Sequence, residues 1–332
     1  MNSDIKVAIV GCGALGSFYG AKLCHLGCST HFLLRSDHDV VRRRGVWIRS
    51  DLGDLKVRPR CAQHPSDIGP VDLVLIGLKT TANDQFPRLL PPLVGEHTVV
   101  LTLQNGLGNE ESLAQLVDPR HIMGGLCFVC LNRTQPGVIR HLAHGNIVLG
   151  EYARWPEPRT HDVAGLFRKA GVPCKVTEDL ARAHWEKLVW NIPFNGLGVA
   201  SSAGFESLEQ GHVKPETACA HCLTTQDLLA DERWSKWILE LMHEVIRAAR
   251  AQGFAIATDL AETMIAKTRR MGAYKASTVL DFERGHALEL DALFRKPWSM
   301  ARAAGVETPI LGRLCGVLDD LEKRARRGAS GA

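Results

Sequence analysis

Lys187, Asn191 and Asn195 recur at intervals of four in His184-Trp185-Glu186-Lys187-Leu188-Val189-Trp190-Asn191-Ile192-Pro193-Phe194-Asn195. On a helix this spacing sets one amine and two carboxamides along a single stripe, with Leu188, Val189, Trp190, Ile192 and Phe194 around it. Each of these polar groups would cost about 1–3 kcal/mol if buried without a partner, so the stripe is expected to line a polar cleft or contact a ligand. Pro193 removes one backbone hydrogen bond and predicts a kink there. The plain alternative is a half-exposed helix whose Lys187 snorkels to solvent.

A second group of residues points to phosphate binding. The apolar run Lys6-Val7-Ala8-Ile9-Val10 leads directly into Gly11-Cys12-Gly13-Ala14-Leu15-Gly16, and Ser17 to Leu26 continues as a helix. In that order Gly11 permits a tight turn, Gly13 lets a pyrophosphate approach the backbone, and Gly16 lets the helix pack on the strand. Unpaired N–H groups at the start of the helix then hold phosphate charge. The reading is a dinucleotide site.

The next strand, Thr30-His31-Phe32-Leu33-Leu34, ends at Arg35-Ser36. A cation at this end pairs with the 2′-phosphate of NADP, whereas an acid accepts hydrogen bonds from the ribose of NAD. Arg35, with Arg42, Arg43 and Arg44 on the following helix, favours NADP, while Asp37 and Asp39 leave NAD open. The triple arginine is also explained as a solvated helix end. Two more strands, Val71 to Thr80 and Thr98 to Leu103, place Lys79-Thr80 and Gln104-Asn105-Gly106 at carboxyl ends, where doubly wound sheets bind ligands. Asn105 can donate and accept in a cleft, or form an ordinary Asn-Gly turn.

The elements that must hold these groups divide in two. Strand patterns also cover Val46 to Arg49, Leu55 to Arg58 and much of His121 to Glu151, with turns expected at Gln135-Pro136-Gly137 and His144-Gly145-Asn146. A helix at 161–170 and a strand at 172–176 complete an α/β domain. From Glu178 the periodicity is helical, so residues 1–180 are expected to form a Rossmann-type doubly wound sheet and 181–332 an all-α domain. Expected helices include 224–233, 235–252 capped by Gly253, 259–271, and one bearing Glu289 and Asp291. Glu289 has apolar neighbours on both sides, which suggests a partly buried, paired carboxylate.

Composition bounds the function. The chain has 332 residues, 45% apolar and 23% charged, with a net charge of +4, which does not suggest nucleic-acid binding. No apolar run of secretory or membrane-spanning length precedes the first strand, so a cytoplasmic protein without a membrane partner is expected, its 10 cysteines reduced. Cys127-x-x-Cys130 reads as core. Cys219-Ala-His221-Cys222 lacks a second pair at zinc-finger spacing, so no metal is expected.

These motifs, in this order, resemble the ketopantoate reductase family, the NADPH-dependent 2-dehydropantoate 2-reductases. The likeness runs from Gly11-x-Gly13-Ala14-x-Gly16 through Leu34-Arg35, Leu78-Lys79-Thr80, Gln104-Asn105-Gly106 and Trp185-x-Lys187-Leu188-x-x-Asn191-x-x-x-Asn195 to Ser277-x-x-x-Asp281 and Glu289. The resemblance implies a Rossmann domain joined to a helical domain with the active site in the cleft between them, acting on a small 2-oxo acid. It implies that Gly11 to Gly16, Arg35 (on the 2′-phosphate), Lys79 and Asn105 hold NADP(H). It also implies that Lys187 is the general acid with Glu289 as its carboxylate partner, and that Asn105, Asn191, Asn195 and Ser277 contact substrate.

Three features depart from the family pattern. Members commonly show Thr-Gly-Glu-Leu where this chain has Thr225-Gln226-Asp227-Leu228; Ser202 to Cys222 reads as an insertion; and Tyr274 stands where an asparagine can serve the pantoate pocket. Two other functions stay open: a related oxidoreductase acting on another 2-oxo acid or a secondary alcohol, and a non-catalytic NADP-binding sensor. A homodimer is also left open.

Overall fold

The computed structural model describes residues 5–330, within two compact units, Met1–Ala181 and Arg182–Ala332. The first unit is built on one ten-stranded sheet. Its strands are β1 (Lys6–Val10), β2 (Ser29–Leu33), β3 (Val46–Ser50), β4 (Leu55–Val57), β5 (Arg60–Ala62), β6 (Leu73–Ile76), β7 (Val99–Thr102), β8 (Ile122–Gln135), β9 (Val138–Glu151) and β10 (Cys174–Val176).

The path β5-β2-β1-β6-β7-β8 is parallel throughout, which is the strand order of a Rossmann sheet. Beyond it β9 runs antiparallel to β8 and carries β3 and β10 alongside. Alternate residues of the central strands enter two cores. Val7 and Ile9 of β1 join Leu73 and Leu75 neighbours of other strands on one face, while Ala8, Val10, Val74 and Ile76 fill the other. A strand buried on both faces must be apolar at every position, which is why Val7 to Val10 and Leu73 to Ile76 read as unbroken hydrophobic runs.

One expectation in this unit is corrected. His144-Gly145-Asn146 is not a turn, because β9 continues through it. The register against β8 shifts between Phe128 and Val129, and His144 and Gly145 take φ of 63° and 129°. This bulge absorbs residues that a turn would otherwise use. Cys127 and Cys130 are both buried, as core residues.

The second unit is helical. The helix Leu180–Asn191 leads into a π-helical turn, Ile192–Leu197, so the helix widens where Pro193 falls. A proline ring clashes with the carbonyl four residues back, and the longer π spacing relieves that clash. A second π-helical turn, Asp291–Arg295, precedes Lys296–Ala303, which carries Pro297. The two π turns pack together at Gly196, where an added Cβ would lie 2.8 Å from Phe294 Cε1 and 2.6 Å from Leu314 Cδ2.

The 20-residue helix Glu232–Ala251 buries Ile238, Leu241, Met242, Val245, Ile246 and Ala249. The break between the helices expected over 224–233 and 235–252 falls earlier, at Asp231. Thr225–Ala230 stops at Asp231, whose side chain accepts N–H bonds from Arg233 and Trp234 and so starts the next helix. Glu289 stands at the start of the helix expected to bear it, its carbonyl accepting the Leu293 N–H at 3.2 Å, and Leu290 leads into the π turn.

Candidate active-site residues

The glycine loop is shaped by contacts at two of its glycines and by space at the third. Gly11 has φ of 96°, and a Cβ there would fall 2.6 Å from the Gly77 carbonyl carbon. The ends of β1 and β6 therefore abut where the strand order reverses, the place where such sheets bind ligands. Gly16 packs its Cα face on the Gly11 carbonyl, and a Cβ on Gly77 would meet Gly16 Cα at 2.9 Å. At Gly13 an added Cβ would meet nothing within 4 Å. No packing explains a glycine there, whereas approach by a phosphate does. The helix that follows, Ala14–His25, has no side-chain cap and no acid in its first turn, so its N-terminal N–H groups suit a pyrophosphate.

Cys12, between the first two glycines, turns its thiol inward to donate to the carbonyls of Ile9 and Leu33 at 3.5 Å each. Burial, with Cys61 and Asp37 nearby, pushes this thiol well above the ordinary range, so it is a structural group rather than a nucleophile. Arg35 and Lys79 are exposed at the ends of β2 and β6, and Asn105 is half-buried after β7.

A relay of carboxamides ties the last two strand ends together. Thr102 Oγ1 donates to Gln104 Oε1 at 3.0 Å, and Gln104 Nε2 donates to Asn83 Oδ1 at 2.7 Å. Asn83 Nδ2 donates to Asn109 Oδ1 at 3.1 Å, and Asn109 Nδ2 donates to the Asn105 carbonyl at 3.1 Å. The loop after Lys79 and the loop bearing Asn105 are thus fixed to one another. No local pattern marks Asn83 or Asn109, because the relay joins residues from separate turns.

In the helical unit, Lys187 is half-buried, Asn191 and Asn195 are 7% and 2% exposed, and Glu289 is 6% exposed. Asn195 Oδ1 accepts the Thr278 backbone N–H at 2.9 Å and the Ser277 hydroxyl at 3.4 Å, which brings Ser277 to the polar stripe. Trp190 stacks near Phe194 and Tyr274 at centroid distances of 5.0 and 6.3 Å, and its Nε1 donates to Thr268 Oγ1 at 2.9 Å. Aromatic rings and carboxamides therefore alternate along this segment.

The stretch read as an insertion is tied down in its middle and at its far end. Arg324 Nη1 donates to the Thr217 carbonyl at 3.1 Å, and Val213 N–H donates to Asp320 at 3.1 Å. At its far end Leu223 N–H donates to Ser201 Oγ at 2.9 Å, and Thr225 N–H donates to the Tyr274 carbonyl at 2.8 Å. Thr224 and Asp227 cap each other's backbone, so the altered Thr225-Gln226-Asp227-Leu228 segment forms a helix start. Among the described residues no group of three or more His, Cys, Asp or Glu side chains could hold a metal, and no helix is long and apolar enough to cross a membrane.

Residues 7–154 match the model described as ketopantoate reductase PanE/ApbA, and residues 211–322 match its C-terminal companion. A 2-dehydropantoate 2-reductase of Nostoc sp. is 37% identical over 332 residues, covering 98% of each chain. The chain belongs to the ketopantoate reductase family. The crystal structure of a 2-dehydropantoate 2-reductase from Geobacter metallireducens superposes with a TM-score of 0.86 at 42% identity, covering 97% of this chain and 100% of that one. A D-mandelate dehydrogenase solved with NADH and anilino(oxo)acetate shares the fold at a TM-score of 0.83 and 18% identity. The C-terminal family match begins at residue 211 and so includes the second half of the stretch read as an insertion. Membership makes the protein a nicotinamide-dependent oxidoreductase of Rossmann fold.

Proposed function

We propose that this protein reduces ketopantoate to pantoate with NADPH, and that Lys187 is the general acid. The observation that carries the reading is the pairing of two features in one family member. Gly13 leaves an open cradle at an uncapped helix N-terminus, and Lys187 lies on a segment with two carboxamides that are otherwise buried among aromatic and aliphatic side chains.

The cofactor, when bound, supplies a hydride to the carbonyl carbon of the 2-oxo acid. The carbonyl oxygen then needs a proton and nearby positive charge, and the Lys187 ammonium provides both. Glu289 holds that amine in position. Asn191 and Asn195 hydrogen-bond the substrate. Ser277 receives its carboxylate at the start of the helix Ser277–Glu283, with its position set by Asn195. Gly11 to Gly16 take the pyrophosphate, Arg35 the 2′-phosphate, and Lys79 and Asn105 the nicotinamide end, their loops held by the Asn83–Asn109 relay.

The test is steady-state oxidation of NADPH and of NADH with ketopantoate, pyruvate, bulkier branched 2-oxo acids and a ketone lacking the carboxylate. Highest kcat/KM for ketopantoate with NADPH is the expected result. A bulkier acid preferred over ketopantoate would transfer the reading to a paralogous reductase, in keeping with Tyr274 beside Trp190 and the Thr225 segment. No oxidation with any acid would leave only a binding protein.

A further inference from the structure

About 20 residues beyond its last glycine a Rossmann unit that uses NAD presents an acid to the ribose hydroxyls, and this chain has one there: Asp37. Asp37 stands four residues past the end of β2 and two past Arg35, where it starts the helix His38–Arg44. Asp37 is not free to act on a ribose. A single guanidinium nitrogen of Arg133, Nη2, lies 2.6 Å from its Oδ1 and 2.5 Å from its Oδ2. The Ser36 hydroxyl adds a third bond to Oδ1 at 3.2 Å.

Arg133 comes from the far end of β8, 96 residues away in sequence, beyond the bulge that displaces this hairpin. The carboxylate is buried, with its side chain 11% exposed, whereas the arginine side chain is 41% exposed.

We propose that Arg133 selects the phosphorylated coenzyme by cancelling Asp37: it occupies both carboxylate oxygens and removes the negative charge that would repel a 2′-phosphate bound by Arg35. The inference rests on the NADPH reading above and explains how a chain with an NAD-type acid in place can hold it. Like charges brought within a few ångströms at a partly buried site oppose one another strongly. Once Arg133 is lost, the same carboxylate disfavours NADPH and becomes available to the ribose of NADH.

Dissociation constants for NADPH and NADH, read from coenzyme fluorescence on the full chain, test this directly. Arg133→Gln is expected to shrink the NADPH-over-NADH preference by about tenfold or more, the effect of exposing one uncompensated, partly buried charge. Adding Asp37→Asn to that variant is expected to restore most of the preference, because no charge then needs cancelling. Asp37→Asn alone, which is nearly isosteric, is expected to keep or raise the preference, and it serves if Arg133→Gln does not fold. An unchanged ratio in Arg133→Gln, no restoration in the double variant, or a lost preference in Asp37→Asn would overturn the inference while leaving wild-type NADPH preference intact. A wild type that binds both coenzymes equally would overturn the NADPH reading and this inference together.

Discussion

Asn195 closes the start of a helix 82 residues further along the chain: its Oδ1 accepts the Ser277 hydroxyl at 3.4 Å and the neighbouring Thr278 N–H at 2.9 Å. A helix N-terminus has no intrahelical partner for its first N–H groups, and Ala276, at the cap position, has no side chain able to supply one. Asn195 therefore has a structural task as well as its proposed contact with substrate.

The two tasks separate by substitution. Asn195→Ala leaves the buried Thr278 N–H unpaired and is expected to cost about 1–3 kcal/mol of stability in denaturant unfolding. Asn195→Asp keeps the acceptor, so stability is expected to stay near wild type while kcat/KM for the oxo acid falls. Equal loss of stability in both variants would contradict the capping role.

The glycine loop gives a similarly paired outcome. Gly13→Ala meets no atom within 4 Å, so unfolding is expected to be unchanged while the dissociation constant for NADPH rises. Gly16→Ala drives a methyl toward the Gly11 carbonyl and to 3.2 Å from Ile9 Cγ2, which is expected to cost about 1–3 kcal/mol by overpacking. Coenzyme fluorescence beside thermal unfolding measures both. Undiminished binding by Gly13→Ala would remove the phosphate from that loop.

Much of this was legible in the sequence, and the reason differs by element. Val7 to Val10 and the helix face from Ile238 to Ala249 are buried as their periodicity implied, because burial on both faces or along one stripe writes itself into consecutive residues. The π turns at Ile192–Leu197 and Asp291–Arg295 were not legible. Proline predicts a broken hydrogen bond, but widening into a π turn depends on what packs against the helix, here Gly196 against Phe294 and Leu314. The bulge at His144 and the Arg133–Asp37 pair were equally hidden. The bulge depends on the register of β8 against β9, and the pair joins side chains 96 residues apart, neither of which a local pattern encodes.

Stability should also carry a signature of Glu244, buried in the helical unit with its oxygens accepting the Ile310 and Leu311 N–H groups at 2.9 Å each. Burial pushes its carboxyl above the ordinary value of 4.5, against the opposing pull of those two N–H groups and Arg247. The folded state thus keeps a proton that the unfolded chain releases, so this contribution is complete below 4.5 and lost as pH rises through the higher folded value. Glu244→Gln does not titrate. Unfolding free energies taken from about pH 4 to about pH 8 should show the wild-type advantage over the variant shrinking with pH and then levelling; an advantage that grows with pH would contradict the raised carboxyl.

The decisive measurement is single-turnover and steady-state reduction of ketopantoate by Lys187→Ala, alongside its NADPH dissociation constant. Turnover is expected to fall by at least about a hundredfold, the lower range for losing a general acid, with NADPH affinity nearly intact. Unchanged turnover would take Lys187 out of the chemistry and contradict the proposed mechanism.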